Sequence, residues 1–559
     1  MAYQVGIDVG GTFTDAVLIG ENRIICKSKV PTQPANLLET LLHALERLGA
    51  FQESVQQITV STTLVTNAIL QNNLPPVELF LFPGSGMKLD ALPWPVHYHE
   101  LKGEIDYRGR EVNPPDELEW RRIINQHDFN SASQIAIVSK FSHRNSTLEE
   151  NLASFLSKRY PKLDLALGHE WGQSNFYRRS LTTYLNLASS RLFSEFSSHL
   201  QQAIAAKGSK ALINVLKADG GVLPLNKLRP VESIYSGPAA SVIGALAQTD
   251  PHESFVVVDI GGTTTDIGLV LTGEPLLSAQ GAKIGSFSTL VRTLAVRSIP
   301  VGGDSAILSH LNSMDGFDLA PYRTGPAYCL GGKAPTPTDA MRYLNRISYG
   351  NFALAEEGLA TLLSPESRTP ENIWQLAEKI LNRVAQKIAN AIKSLHKDWR
   401  EEPAYKVWEV LHPQSHRDFY IWISGGSAQG ISSSLEGQLH IPVRFCKHSE
   451  VSNAIGAALA RPTLTCTLHL DTSIHRYRIE ESGEQGEWFG SRRPHKEVEA
   501  FLQGIASRRA KEIGLELDQI KPTTQPFDFF PVVKGYETVG QIVRGSIVVP
   551  PGVIGRVEE

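Results

Sequence analysis

The chain has 559 residues, of which 42% are hydrophobic and 20% charged, with a formal net charge of -4. That length exceeds one ordinary core and implies about two to four domains. The weak negative charge provides no basic field for nucleic acid or anionic lipid. Four scattered cysteines, Cys26, Cys329, Cys446 and Cys466, form no C-x-x-C pair. They argue against a disulfide framework or a thiolate zinc site and read as small buried hydrophobes. No stretch reaches the roughly 18 apolar residues of a membrane span. No basic leader precedes the first strand, so a cytoplasmic protein is expected.

An apolar strand is predicted at 3–8, then a glycine turn and a second strand at 16–20. A third strand follows at 24–29. A helix over 36–48 carries Leu37, Leu38, Leu41, Leu42, Leu45 and Leu48 at helical spacing. Strands at 58–61, 77–82 and 135–141 and helices at 65–70, 148–160 and 180–206 complete a first half, 1–210. Its Pro-, His- and Trp-rich stretch 84–130 reads as an inserted cap. A second half, 211–462, has strands at 213–217 and 420–424 and helices at 239–247 and 452–460. Its long helix has Thr369 as N-cap, Pro370 at the first position, and Ile373, Leu376, Ile380, Leu381, Val384, Ile388, Ile392 and Leu395 on one face. Past Pro462 the composition changes. The segment 463–559, with a helix at 497–513 and Gly/Val/Pro-rich β character at its end, is expected to be a small α+β domain.

One feature repeats. Residues 5–17 read VGIDVGGTFTDAV and residues 256–269 read VVVDIGGTTTDIGL. Both are strand–turn–strand hairpins, and their wide separation implies duplication of a whole domain. Gly10, Gly11, Gly261 and Gly262 let backbone N–H groups approach an anion, and Thr12, Thr14, Thr263 and Thr265 offer hydroxyls to phosphate oxygens. Asp8 and Asp259, each at a strand end, are placed to hold a hydrated Mg²⁺. Two facing hairpins would grip one polyphosphate. Downstream, IWISGGSA (421–428) ends a strand in Gly425, Gly426 and Ser427, against which a nucleobase can lie, and the Ala-rich 454–460 follows. This order matches the actin/sugar-kinase/Hsp70 class: an α/β fold of duplicated, ribonuclease H-like ATPase domains around an ATP cleft, with a small C-terminal domain.

The chain also resembles the A-type subunits of the hydantoinase/oxoprolinase family over about 1–460. The segments that carry this are GIDVGGTFTDAV (6–17), STTLVTNAIL (61–70), GHE (168–170), RRSLTTYLN (178–186), ADGG (218–221), SGPAASVIGA (236–245), VVDIGGTTTDIG (257–268), VGGDS (301–305) and GPAYCLGGKAPTPTDA (325–340). The resemblance implies ATP-dependent activation of a cyclic amide such as a hydantoin or 5-oxoproline, through phosphorylation of the amide oxygen before ring opening. It also implies a second, B-type subunit. Two departures stand out: Ala295 where many relatives carry an aspartate, and Pro300 where they have a glycine-like turn.

Single residues carry weaker signals. His169 and Glu170 are candidates to polarise a carbonyl or hold a second divalent metal, and Asp304 to present another carboxylate to the cleft. Asp339 reads chiefly as a helix cap, and Asn67 as an early-helix residue. Arg144 and Arg178 are candidates to hold a carboxylate. The HYHE run, 97–100, has metal-ligand types, but adjacent strand residues point to opposite faces, against shared ligation by neighbours. Rival readings are a small-molecule kinase of the same fold and a nucleotide-switched binding protein. Self-association into a homo-oligomer stays open.

Overall fold

The computed structural model describes residues 3–33, 36–49, 55–126, 133–309, 316–401, 419–445, 447–515 and 522–558. Cys446 lies outside them. The other three cysteines are free thiols. Those of Cys329 and Cys466 are pushed up to about 12, mainly by burial, as inert hydrophobes should be.

Two sheets share one topology. In the first, β1 (Tyr3–Val9), β2 (Phe13–Gly20) and β3 (Arg23–Pro31) form an antiparallel meander, and β4 (Val55–Thr62) then β5 (Leu212–Leu216) add in parallel on the other side of β1. The second repeats the pattern. Here β6 (Phe255–Ile260), β7 (Thr265–Leu271) and β8 (Val296–Ile299) are antiparallel, and β9 (Tyr420–Ser424) and β10 (Val443–Phe445) run parallel to β6. Order 3-2-1-4-5 with this polarity, occurring twice, is the duplicated ribonuclease H-like arrangement of actin-like ATPases.

The two sheets meet through a pair of helices, Ser236–Leu246 and Ser452–Leu459. Glycine makes their close contact: a Cβ on Gly244 would lie 2.0 Å from the Ser452 carbonyl oxygen, and one on Gly456 2.1 Å from that of Ala240. Gly6 of β1 is under the same constraint against Ala454, at 1.9 Å. Alternation along β1 turns Val5, Ile7 and Val9 into the first core while Gly6 and Asp8 face the helix Ser452–Leu459. The second core is built on the helix Pro370–Arg400. Its cap Thr369 accepts from the Asn372 N–H, and Ile373, Ile380, Val384 and Ile388 are buried as their spacing predicts.

Three sequence boundaries are corrected. The cut at 210 falls ahead of β5, which belongs to the first sheet through pairing with the distant β4. The inserted stretch expected at 84–130 reaches further than that: its described residues, 84–126, belong to a unit with its own parallel sheet, ordered Asp164–Leu167, Gln134–Ser139, Val77–Phe82 and His99–Glu100. Trp120 and Ile124 are buried there against Phe80, Phe82 and Leu148. The C-terminal strands from Leu464–Asp471 to Glu537–Val549 cover the helix Glu497–Glu512 with a core of their own. The tail then leaves that unit. Val553 and Val557 pack on the helix Ser452–Leu459, and the Val557 N–H donates to the Ala247 carbonyl. Among the described residues no helix is long and apolar enough to cross a membrane.

Candidate functional site

The hairpins are the same object twice. Asp8 pairs across its ladder with Asp15, and Asp259 with Asp266. The turns close with Gly10 N–H to the Phe13 carbonyl, 3.1 Å, and Gly261 N–H to the Thr264 carbonyl, 2.9 Å. The strand-end aspartates converge on one amide. Asn453 Nδ2, in the helix Ser452–Leu459, donates to Asp8 Oδ2 at 3.2 Å and to Asp259 Oδ2 at 3.1 Å. Ser241, in the other connecting helix, donates to the same Asp259 oxygen at 2.6 Å.

Four carboxylates thus share a buried region. Burial, with the charges of Asp15 and Asp259, pushes Asp8 up to about 7 against hydrogen bonds from Ser61 and Asn453. Burial, with Asp259 and Asp8, pushes Asp266 up to about 7 against a bond from Ser298. Asp15 is raised by burial despite its ion pair with Lys29 at 2.6 Å. Among the described residues Asp266 Oδ1, which is buried, has no hydrogen-bond partner. Carboxylates held together against their own repulsion, one of them with an unmatched oxygen, fit a divalent cation of the oxygen-seeking, hydrated kind.

Residues from the second half reach the first hairpin. Arg323 Nη1 donates to Thr12 Oγ1 at 2.7 Å and lies 3.7 Å from Asp304 Oδ2. Asp304 sits on the second turn. Its N–H donates to the Gly262 carbonyl at 2.6 Å, and a Cβ on Gly262 would come 2.7 Å from its Oδ2. Burial raises the Asp304 carboxyl, opposed by Arg323. Gly425 has φ +95°, and a Cβ there would lie 2.4 Å from the Ile260 carbonyl and 2.6 Å from Asp259 Oδ1. Gly426 has open space at its Cα and its carbonyl accepts from Tyr349 Oη at 3.0 Å. The Ser427 N–H donates to the Ile260 carbonyl at 3.3 Å. The G-G-S segment and the second hairpin are therefore one surface.

Some expected residues have other work. Thr14 and Thr265 are fully buried. Their hydroxyls bond Thr32 Oγ1 and the Val301 carbonyl, fastening the hairpins to neighbouring segments. Each pairs in register with a core residue, Val9 or Ile260, and so faces away from the aspartates. Thr12 and Thr263 remain at the turns. His169 and Glu170 are not joined to the hairpins. His169 Nδ1 bonds Glu149 at 2.8 Å, the Glu170 carbonyl accepts from Arg229, and Gly483 of the C-terminal unit packs on the His169 carbonyl. Asp339 is not itself the N-cap of the helix Pro337–Tyr343: Thr336 is, and Asp339, three residues on, accepts from the Thr336 N–H at 2.7 Å to complete a capping box. Asn67 bonds Thr63, and Arg178 bonds the Thr289 carbonyl. Arg144 lines a cavity of about 570 Å³ between the inserted and C-terminal units. Ala295 lines a smaller one, about 350 Å³, with Tyr235, Lys283, Arg297 and Ser298, on the strand β8 that borders Asp266. Sequence reasoning missed Asp15, Asp266, Ser241, Arg323 and Asn453. The first two were visible as the closing aspartate of each repeat.

Family models described as hydantoinase/oxoprolinase N-terminal region and hydantoinase/oxoprolinase match residues 4–160 and 179–465. The caprolactamase subunit alpha of Pseudomonas jessenii is 26% identical over 386 residues, 62% of this chain and 55% of that one. The 5-oxoprolinase of Saccharomyces cerevisiae is 27% identical over 62% of this chain and 32% of its own length. The chain thus spans about a third to a half of these two relatives. Among solved structures, a nucleotide-free acetone carboxylase superposes with a TM-score of 0.71 at 16% identity, over 100% of this chain and 89% of that one. The ATP-dependent caprolactamase of Pseudomonas jessenii gives 0.68 at 19% identity, over 98% and 87%. Both share the fold. With both models matched across most of its length, the chain belongs to the hydantoinase/oxoprolinase family.

Proposed function

We propose that this chain is the ATP-binding subunit of an enzyme that activates a hydantoin- or 5-oxoproline-like cyclic amide by phosphorylating its amide oxygen before the ring opens. The observation that supports the reading is Asn453, whose one amide group joins Asp8 and Asp259 and so sets the two hairpins side by side, as a shared polyphosphate would require. Backbone N–H groups of both turns, with Thr12 and Thr263, would cradle the phosphates. Asp8 and Asp259 would hold a Mg²⁺ whose charge offsets that of the β- and γ-phosphates. Gly425, Gly426 and Ser427 would carry the adenosine. Arg323, which reaches from the second half to Thr12, is placed to meet charge on the transferring group, and Asp304 steadies it.

The cavity that Ala295 lines suits a small ring. In the proposed sequence the amide oxygen attacks the γ-phosphorus and ADP leaves. Water then adds to the activated carbon, the C–N bond breaks to leave an acyl phosphate and a free amine, and a second water releases phosphate and the carboxylate. A relative named as a caprolactamase alpha subunit supports assignment of the later steps to a second, B-type chain.

The test is ADP release by the chain alone and with a B-type subunit, against hydantoins, lactams, 5-oxoproline and polyols. A cyclic amide should stimulate hydrolysis, and ring-opened product should require the partner. Stimulation by a polyol with accumulation of a stable phosphate ester would replace this reading with a kinase.

A further inference from the structure

The inserted unit carries a second group of metal-ligating side chains, remote in sequence from the nucleotide hairpins. Its parallel sheet ends at the two-residue strand His99–Glu100, which pairs with Val77–Phe82 in the register Phe80 to His99 and Leu81 to Glu100. Two residues back along both chains, the same register places Glu78 beside His97. Glu78, Phe80, His97 and His99 therefore share one face, since side chains two apart on extended backbone point the same way. Adjacent residues of the HYHE run do diverge, but the two histidines are not adjacent.

The side chains bear this out. The ligand atoms of Glu78, His97 and His99 all lie within 4.8 Å of one another. His99 Nε2 is 2.8 Å from Glu78 Oε2. The His99 ring is steadied against buried Phe80, centroids 4.8 Å apart, and meets the His97 ring edge-on at 4.9 Å. Two donors on one cation with bonds of about 2.0–2.1 Å stand roughly 3 Å apart, so Glu78 and His99 already have the separation of a ligand pair. His97 is exposed and can close the remaining distance at little cost in packing.

We propose that Glu78, His97 and His99 form a binding site for a late first-row divalent metal of the Zn²⁺ or Co²⁺ kind. Two imidazoles and one carboxylate select such ions over Mg²⁺ or Ca²⁺, which take oxygen ligands. Three protein ligands leave a position open to water or to a small donor molecule. The site ties the returning segment 83–98, with little regular structure, to the sheet edge. Metal binding to the folded state alone must therefore stabilise this unit. It is distinct from the carboxylate cluster at Asp8 and Asp259, whose all-oxygen character suits Mg²⁺.

The test uses full-length protein stripped with chelator, in excess Mg²⁺ and without nucleotide. Co²⁺ is titrated while visible d–d absorption is followed, and bound Zn²⁺ is counted after dialysis. One equivalent should bind, with a d–d band of nitrogen–oxygen ligation, and Zn²⁺ should raise Tm. His97→Ala and Glu78→Gln should each weaken binding roughly tenfold or more, whereas Asp8→Asn should leave it unchanged. His97 is exposed, so its variant keeps the test open should the Glu78 change disturb the fold. Absence of stoichiometric binding, retention of full affinity in His97→Ala, or loss of binding in Asp8→Asn would overturn the proposal.

Discussion

Replacing Asp8 with asparagine should make the apo protein more stable at pH 8, although the residue belongs to the site. Burial first, then the Asp15 and Asp259 charges, push its carboxyl from 3.8 up to about 7. Between about pH 4 and pH 7 the folded protein therefore keeps a proton that the unfolded chain has released. Stability falls as pH rises through that window, and the whole cost persists above it. About three pH units at about 1.4 kcal/mol each amounts to about 4 kcal/mol at pH 8. Asparagine keeps the shape and an acceptor oxygen without the charge. Its advantage over wild type should grow by about 2 kcal/mol between pH 5.5 and pH 8. Mg²⁺ should erase it, because the cation stabilises only the protein that carries the carboxylate. The assay is paired denaturation of wild type and Asp8→Asn at both pH values, with chelator and with Mg²⁺. A variant less stable than wild type at pH 8 in chelator, or a difference independent of pH, would refute the argument.

Arg323→Ala removes a tie between the two halves and a guanidinium beside the first turn. A hydrogen bond with a charged partner contributes about 1.5–3 kcal/mol, so ATP affinity should fall by about 10- to 100-fold with little change in apo Tm. Unchanged affinity in isothermal titration would remove Arg323 from the site. Ala295→Trp should fill the small cavity beside β8. It should raise KM for the cyclic amide while ATP binding stays as in wild type, and an unchanged KM would place the substrate elsewhere.

Much of the fold was readable because both halves write the same local instruction. An apolar strand, Gly-Gly and a second strand specify a hairpin without help from the rest of the chain, and the capped helix at Thr369 is equally local. The strand-end aspartates followed from that. Alternation also contained the fate of Thr14 and Thr265: opposite Val9 and Ile260 in register, they belong to the buried face. Other parts of the site were beyond local reading. Asn453 lies 445 residues from Asp8, and Arg323 lies 311 from Thr12. Nothing in their surroundings marks them, since their roles come from the crossing of two glycine-notched helices and from a loop reaching over the cleft. The inserted unit was drawn too short for a related reason. Its edge strand is two residues long and pairs with a strand about twenty residues earlier, too short to leave a period.

The central claim is that Asp8 and Asp259 jointly hold the metal of a bound ATP. Its most direct measurement is equilibrium binding of a non-hydrolysable ATP analogue, with and without Mg²⁺, to wild type, Asp8→Asn and Asp259→Asn. Wild type should bind far more tightly with Mg²⁺, and each variant should lose most of that Mg²⁺-dependent gain while staying folded. Full Mg²⁺-dependent affinity in both variants would contradict the account.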